Sequence, residues 1–192
     1  MTRPDDVLGY WLDEVGPSGW YDADAARDTE ITDRFGDALE EAKEGAFSLW
    51  LTYASGTLAY LILTDQFSRN IHRGEAEAFT TDRISRAAAK AAIGHGWDFK
   101  IDEPARQFFY LPLMHSENLC DQDRAVRLIL TRMPDQGASN LLHAKAHREV
   151  IRRFGRFPFR NEALSRETTE VEKRWLDEGG YGATVRALKE PA

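Results

Sequence analysis

The chain has 192 residues, which is enough for a single domain with a sizeable hydrophobic core. Its hydrophobic fraction of 42% is that of an ordinary globular protein, and no apolar run approaches the roughly 20 residues that a membrane-spanning helix needs. The net charge of −7 argues against bulk binding to nucleic acid.

The charge is unevenly distributed along the chain. Residues 1–45 carry thirteen acidic and four basic side chains, a net charge of −9, so the remaining chain is close to +2. Residues 152–166 hold five arginines against one acid. Either the acidic front and the arginine-rich back attract each other, or the arginines form an anion-binding surface. The lack of a signal-peptide pattern and the single Cys120 predict a cytoplasmic protein without a disulfide.

Helical periodicity runs through the first half of the chain. Val7, Tyr10 and Trp11 share one side of a short first helix. The second helix covers about 22–43, and its inner face is formed by Ile31, Phe35, Ala38, Leu39 and Ala42. A strongly apolar helix follows over 56–70. Thr80 or Thr81 caps the next helix, which closes on two glycines at 94 and 96.

The second half continues the helical pattern. Pro104 suits the first turn of a helix over 103–119, which Pro112 would kink. Asp121 or Asp123 opens another helix, Ser139 caps the next, which ends at Gly155, and a last helix covers about 169–178. The best strand candidate, 98–102, is too short to indicate a sheet. We therefore predict an all-α fold of stacked antiparallel helical hairpins in a single domain over 1–192, with acidic helices in 1–45 and motif-bearing helices in 56–176.

Asp65 is the first candidate for a functional residue. It continues the inner stripe of its helix, where a lone buried carboxylate would be costly. Arg69 follows four residues later, in the favourable orientation for an ion pair, and Asn70 and Arg73 come directly after it. The cluster is either a structural salt bridge at a helix end or part of a ligand site.

Three histidines are the next candidates. His115 shares a helix face with Phe108 and Leu111, but Glu117 lies about 200° around an ideal helix from it, so the two form a local dyad only if the helix breaks. His143 and His147 have a spacing that suits a metal ion, but the glutamate of the zinc-protease pattern is missing. We predict no metal and no cofactor.

The stretch "FGRFPFRN" at 154–161 predicts a packed corner that ends a helix. Phe157 and Pro158 anchor it in the core, and Arg156 and Arg160 project from it beside Asn161.

Three longer stretches carry a family resemblance. "LILTDQFSRNIHRG" (61–74), "ARQFFYLPLMHSEN" (105–118) and "HREVIRRFGRFPFRNEALSRETTEVEKRWL" (147–176) resemble the bacterial domain-of-unknown-function family 924 in sequence, order and spacing. The resemblance implies an all-α, tetratricopeptide-like fold, although the tetratricopeptide repeat consensus is absent here. It implies no function, because the family is named for lacking one.

The family motifs can be matched residue by residue. The matching positions are Asp65, Gln66, Arg69, Asn70, Arg73, Tyr110, Pro112, His115, Ser116, Glu117, His147, Phe154, Gly155, Arg156, Phe157, Pro158, Arg160 and Asn161. The chain departs from the pattern at Phe159, where the resemblance implies a histidine. A mechanism that needs an ionisable group at that position is therefore in doubt.

Three functions remain open at this stage. The first is a binding module whose Arg, Asn and His side chains line a pocket for an anionic small molecule or a peptide; 19 of the 25 basic residues are arginine, which suits directed contacts to carboxylate or phosphate. The second is a hydrolase-type enzyme that uses His115 or His147 with Asp65 or Glu117. The third is a structural or interaction protein whose motif residues form a buried polar network. The candidate ligand-binding residues are Asp65, Arg69, Asn70, Arg73, His115, Glu117, His147, Arg156, Arg160 and Asn161.

Two aspects of assembly also follow from the sequence. We expect no membrane and no nucleic-acid partner. Trp11, Trp20 and Tyr21 near the front of the chain either pack internally or form a homo-oligomer contact.

Overall fold

Helices make up the regular secondary structure of residues 2–189, the part of the chain that the computed structural model describes, and no strand occurs in this range. The α-helices are α1 (Pro4–Leu8), α2 (Gly16–Gly19), α3 (Ala25–Lys43), α4 (Ala54–Leu61), α5 (Ser68–Ile71), α6 (Asp82–Gly94), α7 (Leu111–Met114), α8 (Leu119–Arg132), α9 (Ala138–Phe154), α10 (Glu170–Asp177) and α11 (Gly180–Lys189). The predicted all-α class is confirmed, whereas the tetratricopeptide-like stacking of hairpins stays a prediction.

Shorter helical segments join these elements. Wider π-type turns occupy Gly9–Val15 and Ile62–Phe67, and 3-10 turns occupy Ser48–Thr52, Ala76–Phe79, Trp97–Lys100, Ala105–Phe109 and Pro158–Arg160. The π-type turn between α4 and α5 makes residues 54–71 one continuous helical element. No helix within residues 2–189 combines the length and the apolar character needed to cross a membrane.

The backbone contacts divide the chain into two compact units, residues 1–112 and 113–192. The prediction of a single domain stays a prediction.

The core of the first unit is rich in aromatic side chains. The Phe67 ring lies 5.3 Å from Trp11 and 4.8 Å from Phe35, centroid to centroid. The indole of Trp20 packs against Phe108 and donates a hydrogen bond to the Trp11 carbonyl (2.7 Å). Trp11 and Trp20 are therefore buried inside the unit, and burial of such large rings supplies much of its apolar stabilisation.

The predicted inner face of α3 is confirmed at every position. The buried residues of this helix are Ile31, Phe35, Ala38, Leu39 and Ala42. The helix begins three residues later than predicted, because Asp24 caps it by accepting hydrogen bonds from the amides of Ala26 and Arg27.

The core of the second unit forms where α9 meets the corner that follows it. Val150 and Ile151 of α9 are buried against Phe157 and against Trp175 of α10. Five residues connect α8 and α9, which pack against each other as an antiparallel hairpin. The corner prediction is confirmed for Gly155, which ends α9 in the left-handed conformation (φ +71°), and for the fully buried Phe157.

The predicted long helix over 103–119 is wrong. Residues 105–109 form a 3-10 turn, and the short α7 follows with Pro112 in its first turn. Because proline has no amide proton and clashes with the preceding turn, it suits the start of α7 and prevents a continuous helix across this stretch.

Three predicted caps also need correction. Asn118, not Asp121 or Asp123, caps α8, since its side-chain oxygen accepts hydrogen bonds from the amides of Cys120 and Asp121. Ser139 does not cap α9, which begins after Gly137 without a side-chain cap. Thr81 precedes α6, but its hydroxyl donates to the Thr64 carbonyl instead of capping the helix.

Candidate functional site

The ten candidate residues fall into three groups. The first group lies in the first unit and consists of Asp65, Arg69, Asn70 and Arg73. The second and third groups lie in the second unit: Glu117, Arg156 and Asn161 form an ion-paired corner, and His115, His147 and Arg160 belong to a cluster of histidines.

Asp65 is almost fully buried in the π-type turn between α4 and α5. Its carboxylate accepts a hydrogen bond from Gln66 (2.7 Å) and lies 3.1 Å from the Arg69 guanidinium. The same guanidinium donates to the Asp65 carbonyl (2.8 Å) and to the Asp82 carboxylate (2.7 Å). The predicted i,i+4 pair is therefore present, and it joins the end of this helix to the start of α6.

Asn70 and Arg73 both bind Asp28 in the first turn of α3. The Asn70 amide donates to the carboxylate at 2.8 Å, and the Arg73 guanidinium donates at 2.6 and 2.9 Å. Hydrogen bonds from Arg73, together with the one from Asn70, hold the pKa of Asp28 below its usual range. This fork-shaped contact ties α5 to α3, and nothing in the local sequence indicates Asp28 as the partner.

Glu117 connects two parts of the corner in the second unit. It accepts two hydrogen bonds from Arg166 (2.8 and 2.9 Å) and one from the Phe157 amide (2.9 Å). Partial burial opposes ionisation of this carboxyl, but the bonds from Arg166 and the amide outweigh it and lower its pKa. Helix α7 ends at Met114, so no helix connects His115 with Glu117, whose carboxylate contacts this corner instead.

Arg156 and Asn161 meet at Glu172 on α10. Arg156 donates to the Glu172 carboxylate at 2.6 and 2.8 Å, and the Asn161 amide donates at 3.3 Å. Glu172 also completes a capping box with Thr169 at the start of α10. The pKa of Glu172 is lowered to about 2, chiefly by the hydrogen bonds from Arg156. These contacts fix α10 against the corner.

Seven side chains from four segments of the second unit form what we call the histidine cluster: His115, His143, His147, Phe157, Phe159, Arg160 and Tyr181. His147 lies at its centre, with its ring centroid 6.2 Å from His115, 5.4 Å from Phe157 and 4.8 Å from Tyr181. The three histidines and Tyr181 are partly exposed. The cluster thus extends to the surface of the second unit.

The hydrogen bonds among His143, His147 and Tyr181 indicate which ring nitrogens carry a proton. Nδ1 of His147 lies 2.8 Å from the His143 carbonyl, which only accepts, so Nδ1 carries the proton. The Tyr181 oxygen, 3.0 Å away, accepts from the same Nδ1–H, and its own hydroxyl donates to Nδ1 of His143 (2.7 Å). Nε2 of His147 is then the unprotonated nitrogen, and it has no hydrogen-bond partner among residues 2–189.

Burial dominates the environment of this central imidazole, and the Arg160 guanidinium adds positive charge nearby. Burial and the neighbouring His115, with a further contribution from Arg160, lower the pKa of His147 to about 3. Burial and Lys189 also lower the pKa of His143. Both rings are therefore neutral at pH 7, and burial raises the pKa of the Tyr181 hydroxyl, so that it keeps its proton.

Arg160 does not project from the corner as predicted. It is 6% exposed, its guanidinium donates to the His115 carbonyl (3.0 Å), and its Cζ lies 4.6 Å from the centroid of the Phe157 ring. Stacking on an aromatic ring suits the planar guanidinium and fixes its position beside the imidazoles. Phe159, its neighbour, is the exposed large side chain of the corner.

The sequence prediction missed His143 as a binding residue and missed Tyr181 entirely. Tyr181 lies on α11, beyond the last predicted helix at about 169–178. Gly179 and Gly180 both have positive φ, which ends the preceding helix and lets α11 begin at Gly180. The apolar spacing of Tyr181, Val185 and Leu188 is the signal that identifies it.

Two further features of the described residues bear on possible ligands. No group of three or more His, Cys, Asp or Glu side chains within residues 2–189 is arranged to hold a metal ion. Surface depressions of about 410 and 200 Å³ lie elsewhere: the larger is lined by residues such as Tyr10 and Glu30, and the smaller by residues such as Phe154 and Trp175.

Comparison with known proteins gives a family but no activity. The family described as "Bacterial protein of unknown function (DUF924)" matches residues 7–180. The chain is also similar to the solved structure of a protein of unknown function, ATU0120, from Agrobacterium tumefaciens: the two are 43% identical with a TM-score of 0.86, over 92% of this chain and 97% of the other. No curated protein matches the chain.

Proposed function

The chain belongs to the bacterial DUF924 family of proteins of unknown function, and we propose that it is a binding module for an anionic small molecule or peptide, with the binding site at the histidine cluster. The observation that carries this proposal is the convergence of three imidazoles, a buried guanidinium and a tyrosine hydroxyl on one partly exposed region of the second unit.

An anion is the ligand that best suits this electrostatic environment. Protonation of His147 is unfavourable because the ring is desolvated and lies among other cationic or potentially cationic groups. A carboxylate or phosphate beside Nε2 of His147 offsets this repulsion and accepts a charge-assisted hydrogen bond once the nitrogen takes up a proton. A cationic ligand gains nothing from the same surroundings.

The proposal narrows the site that the sequence suggested. The candidate residues of the first unit bind one another or nearby acids; these residues are Asp65, Arg69, Asn70 and Arg73. In the second unit, Glu172 accepts hydrogen bonds from Arg156 and Asn161. These contacts favour the structural interpretation for that part of the motif, in which the residues fix helix ends. Binding is then assigned to His115, His147 and Arg160, joined by His143 and Tyr181.

A hydrolase that uses the suggested residues is less well supported than binding. A general base works best when its pKa lies near the working pH, and that of His147 is about 3. Glu117 is held by Arg166 and the Phe157 amide, with its pKa lowered, so it is a poor proton acceptor.

The proposal is tested by NMR titration of the histidine rings in the full chain with acetate and with inorganic phosphate, against chloride at equal ionic strength. We expect at least one of the two anions to shift the His147 resonances with saturation. We expect His147→Gln and Tyr181→Phe to weaken this binding, whereas His72→Gln in the first unit leaves it unchanged. If neither anion perturbs the cluster of the folded protein, the proposal is wrong.

A further inference from the structure

Phe159 is unusual in the histidine cluster because it is a large apolar side chain that is 44% exposed. Single exposed apolar residues are common and need no explanation by themselves. Here, however, both flanking residues of the corner, Pro158 and Arg160, are buried, and so is Phe157. The exposed ring is therefore held at a fixed place beside the buried guanidinium.

The position of this ring is well determined. Phe159 stacks on Phe157 with a centroid distance of 5.1 Å and an interplanar angle of 27°, and it meets Tyr181 edge-on at 6.1 Å. Its backbone lies in the 3-10 turn Pro158–Arg160, where the Arg160 amide donates to the Phe157 carbonyl (3.0 Å). A ring fixed in this way loses little conformational entropy when a ligand packs against it.

The exposed ring and the proposed anion site are neighbours. Phe157 and Tyr181 each contact both Phe159 and His147, so no more than one side chain separates the exposed ring from the imidazole. A ligand with a carboxylate at one end and an aromatic ring close to it matches this pairing of an apolar face with a cationic region.

We propose that Phe159 determines the specificity of the site by packing against the ring of an aryl or arylalkyl carboxylate whose carboxylate lies at His147. This inference rests on the proposed function, since it names the ligand class of that same site. Because offset or edge-on aromatic contacts add to the gain from buried area alone, benzoate should bind about tenfold tighter than acetate.

The experiment compares acetate, cyclohexanecarboxylate and benzoate in NMR titrations of the full chain at equal pH and ionic strength. The cyclohexane compound matches benzoate in size but has no aromatic ring. We expect benzoate to bind most tightly, and Phe159→Leu to remove its advantage over cyclohexanecarboxylate while leaving acetate unaffected. Leu130→Ala, at an exposed apolar residue on α8, is the matched control and should change no ratio.

The outcomes separate this inference from the proposal on which it rests. If neither the three carboxylates nor inorganic phosphate perturbs the cluster, the anion site itself is absent and both ideas fall. If phosphate alone binds, the site stands and this inference is wrong. If acetate binds but benzoate binds no more tightly, or Phe159→Leu leaves the preference intact, the site stands and Phe159 does not set its specificity. Melting temperatures of the variants confirm that each one is folded.

Discussion

Charged residues of the second unit have different roles, and the difference comes from their immediate neighbours. Arg156 faces the Glu172 carboxylate and is neutralised by it. Arg160 stacks on Phe157 and donates to a backbone carbonyl, and its positive charge contributes to the low pKa of His147. Two arginines four positions apart thus differ in their contacts: the first stabilises the start of α10, and the second adds a smaller contribution than burial and His115 to the low pKa of His147.

The environment of His147 leads to a prediction about stability and pH. The ordinary pKa near 6.5 applies to the unfolded chain, and the folded value is about 3. Between these values the unfolded state binds the extra proton, so the free energy of unfolding should fall as the pH is lowered from 6.5, by at most about 1.4 kcal/mol per pH unit from this group. Urea unfolding at pH 7, 6 and 5 measures the slope.

His147→Gln is the control for this slope. The variant should lose most of the pH dependence between 6.5 and 4.5; His143, whose pKa is also lowered, contributes the remainder. The paired carboxyls of Asp28, Glu117 and Glu172 have lowered pKa values and reduce stability only at lower pH, as they are protonated. An unchanged slope in His147→Gln would contradict the assignment.

At the scale of elements, sequence predicts what is decided locally. The buried face of α3 and the end of α9 at Gly155 follow from apolar spacing and from the freedom of glycine to adopt positive φ. The i,i+4 contact between Asp65 and Arg69 is equally local. Such local patterns are sufficient to predict the all-α fold class.

Sequence does not predict which of several competing local signals is used. It also does not predict contacts between residues that are far apart in the chain. Asn118 takes the α8 cap although Asp121 and Asp123 are equally good candidates by residue type. The partners Asp28–Arg73 and His143–Tyr181 are 45 and 38 residues apart, so only the tertiary fold brings them together. The histidine cluster could not be assembled from sequence, because Tyr181 lies on α11, beyond the last predicted helix at about 169–178.

The end of α9 gives a prediction with a built-in control. Gly155 has φ +71°, and an added Cβ would meet no atom within 4 Å, so Gly155→Ala costs only backbone strain, about 1 to 2 kcal/mol. Gly36 lies inside α3, where a Cβ would make an ordinary contact at 3.9 Å, and Gly36→Ala should stabilise by about 1 kcal/mol. Opposite shifts in denaturation midpoint check both values, and equal shifts would refute them.

The start of α8 is tested by removing and then restoring its cap. Asn118→Ala leaves two amides of the first turn without their acceptor and should cost about 1 kcal/mol of stability. Asn118→Asp keeps an acceptor oxygen in the same place and should be close to neutral. Thermal unfolding compares the two variants, and an equal loss in both would show that the cap does not determine where the helix begins.

At the scale of the whole molecule, acidic side chains pair with basic side chains of the same unit. Acids of residues 1–45 pair inside the first unit, as in Glu14 with Arg34 and Asp28 with Arg73. The net charge of −7 therefore says little about the ligand, because local groups decide the potential at the histidine cluster. An acidic protein is in this way compatible with an anion site.

Ligand binding, protonation and stability should then be coupled in the full chain. At pH 7 the free protein has His147 neutral, with Nε2 unprotonated, whereas a bound carboxylate favours the protonated ring. Binding of benzoate should therefore take up protons, between zero and one per ligand, and its affinity should rise as the pH is lowered from 8 to 6. Calorimetry in two buffers with different ionisation enthalpies measures the uptake directly.

His147→Gln decides whether that proton is bound at the proposed atom. Glutamine keeps a side-chain amide near the ligand but cannot titrate, so the variant should bind benzoate with the same heat in both buffers and with an affinity that no longer depends on pH. Tyr181→Phe keeps the imidazole and should retain the uptake while binding more weakly. If His147→Gln still takes up protons when benzoate binds, the titrating group is not His147. The proposed coupling would then be wrong, because it depends on protonation of this one ring.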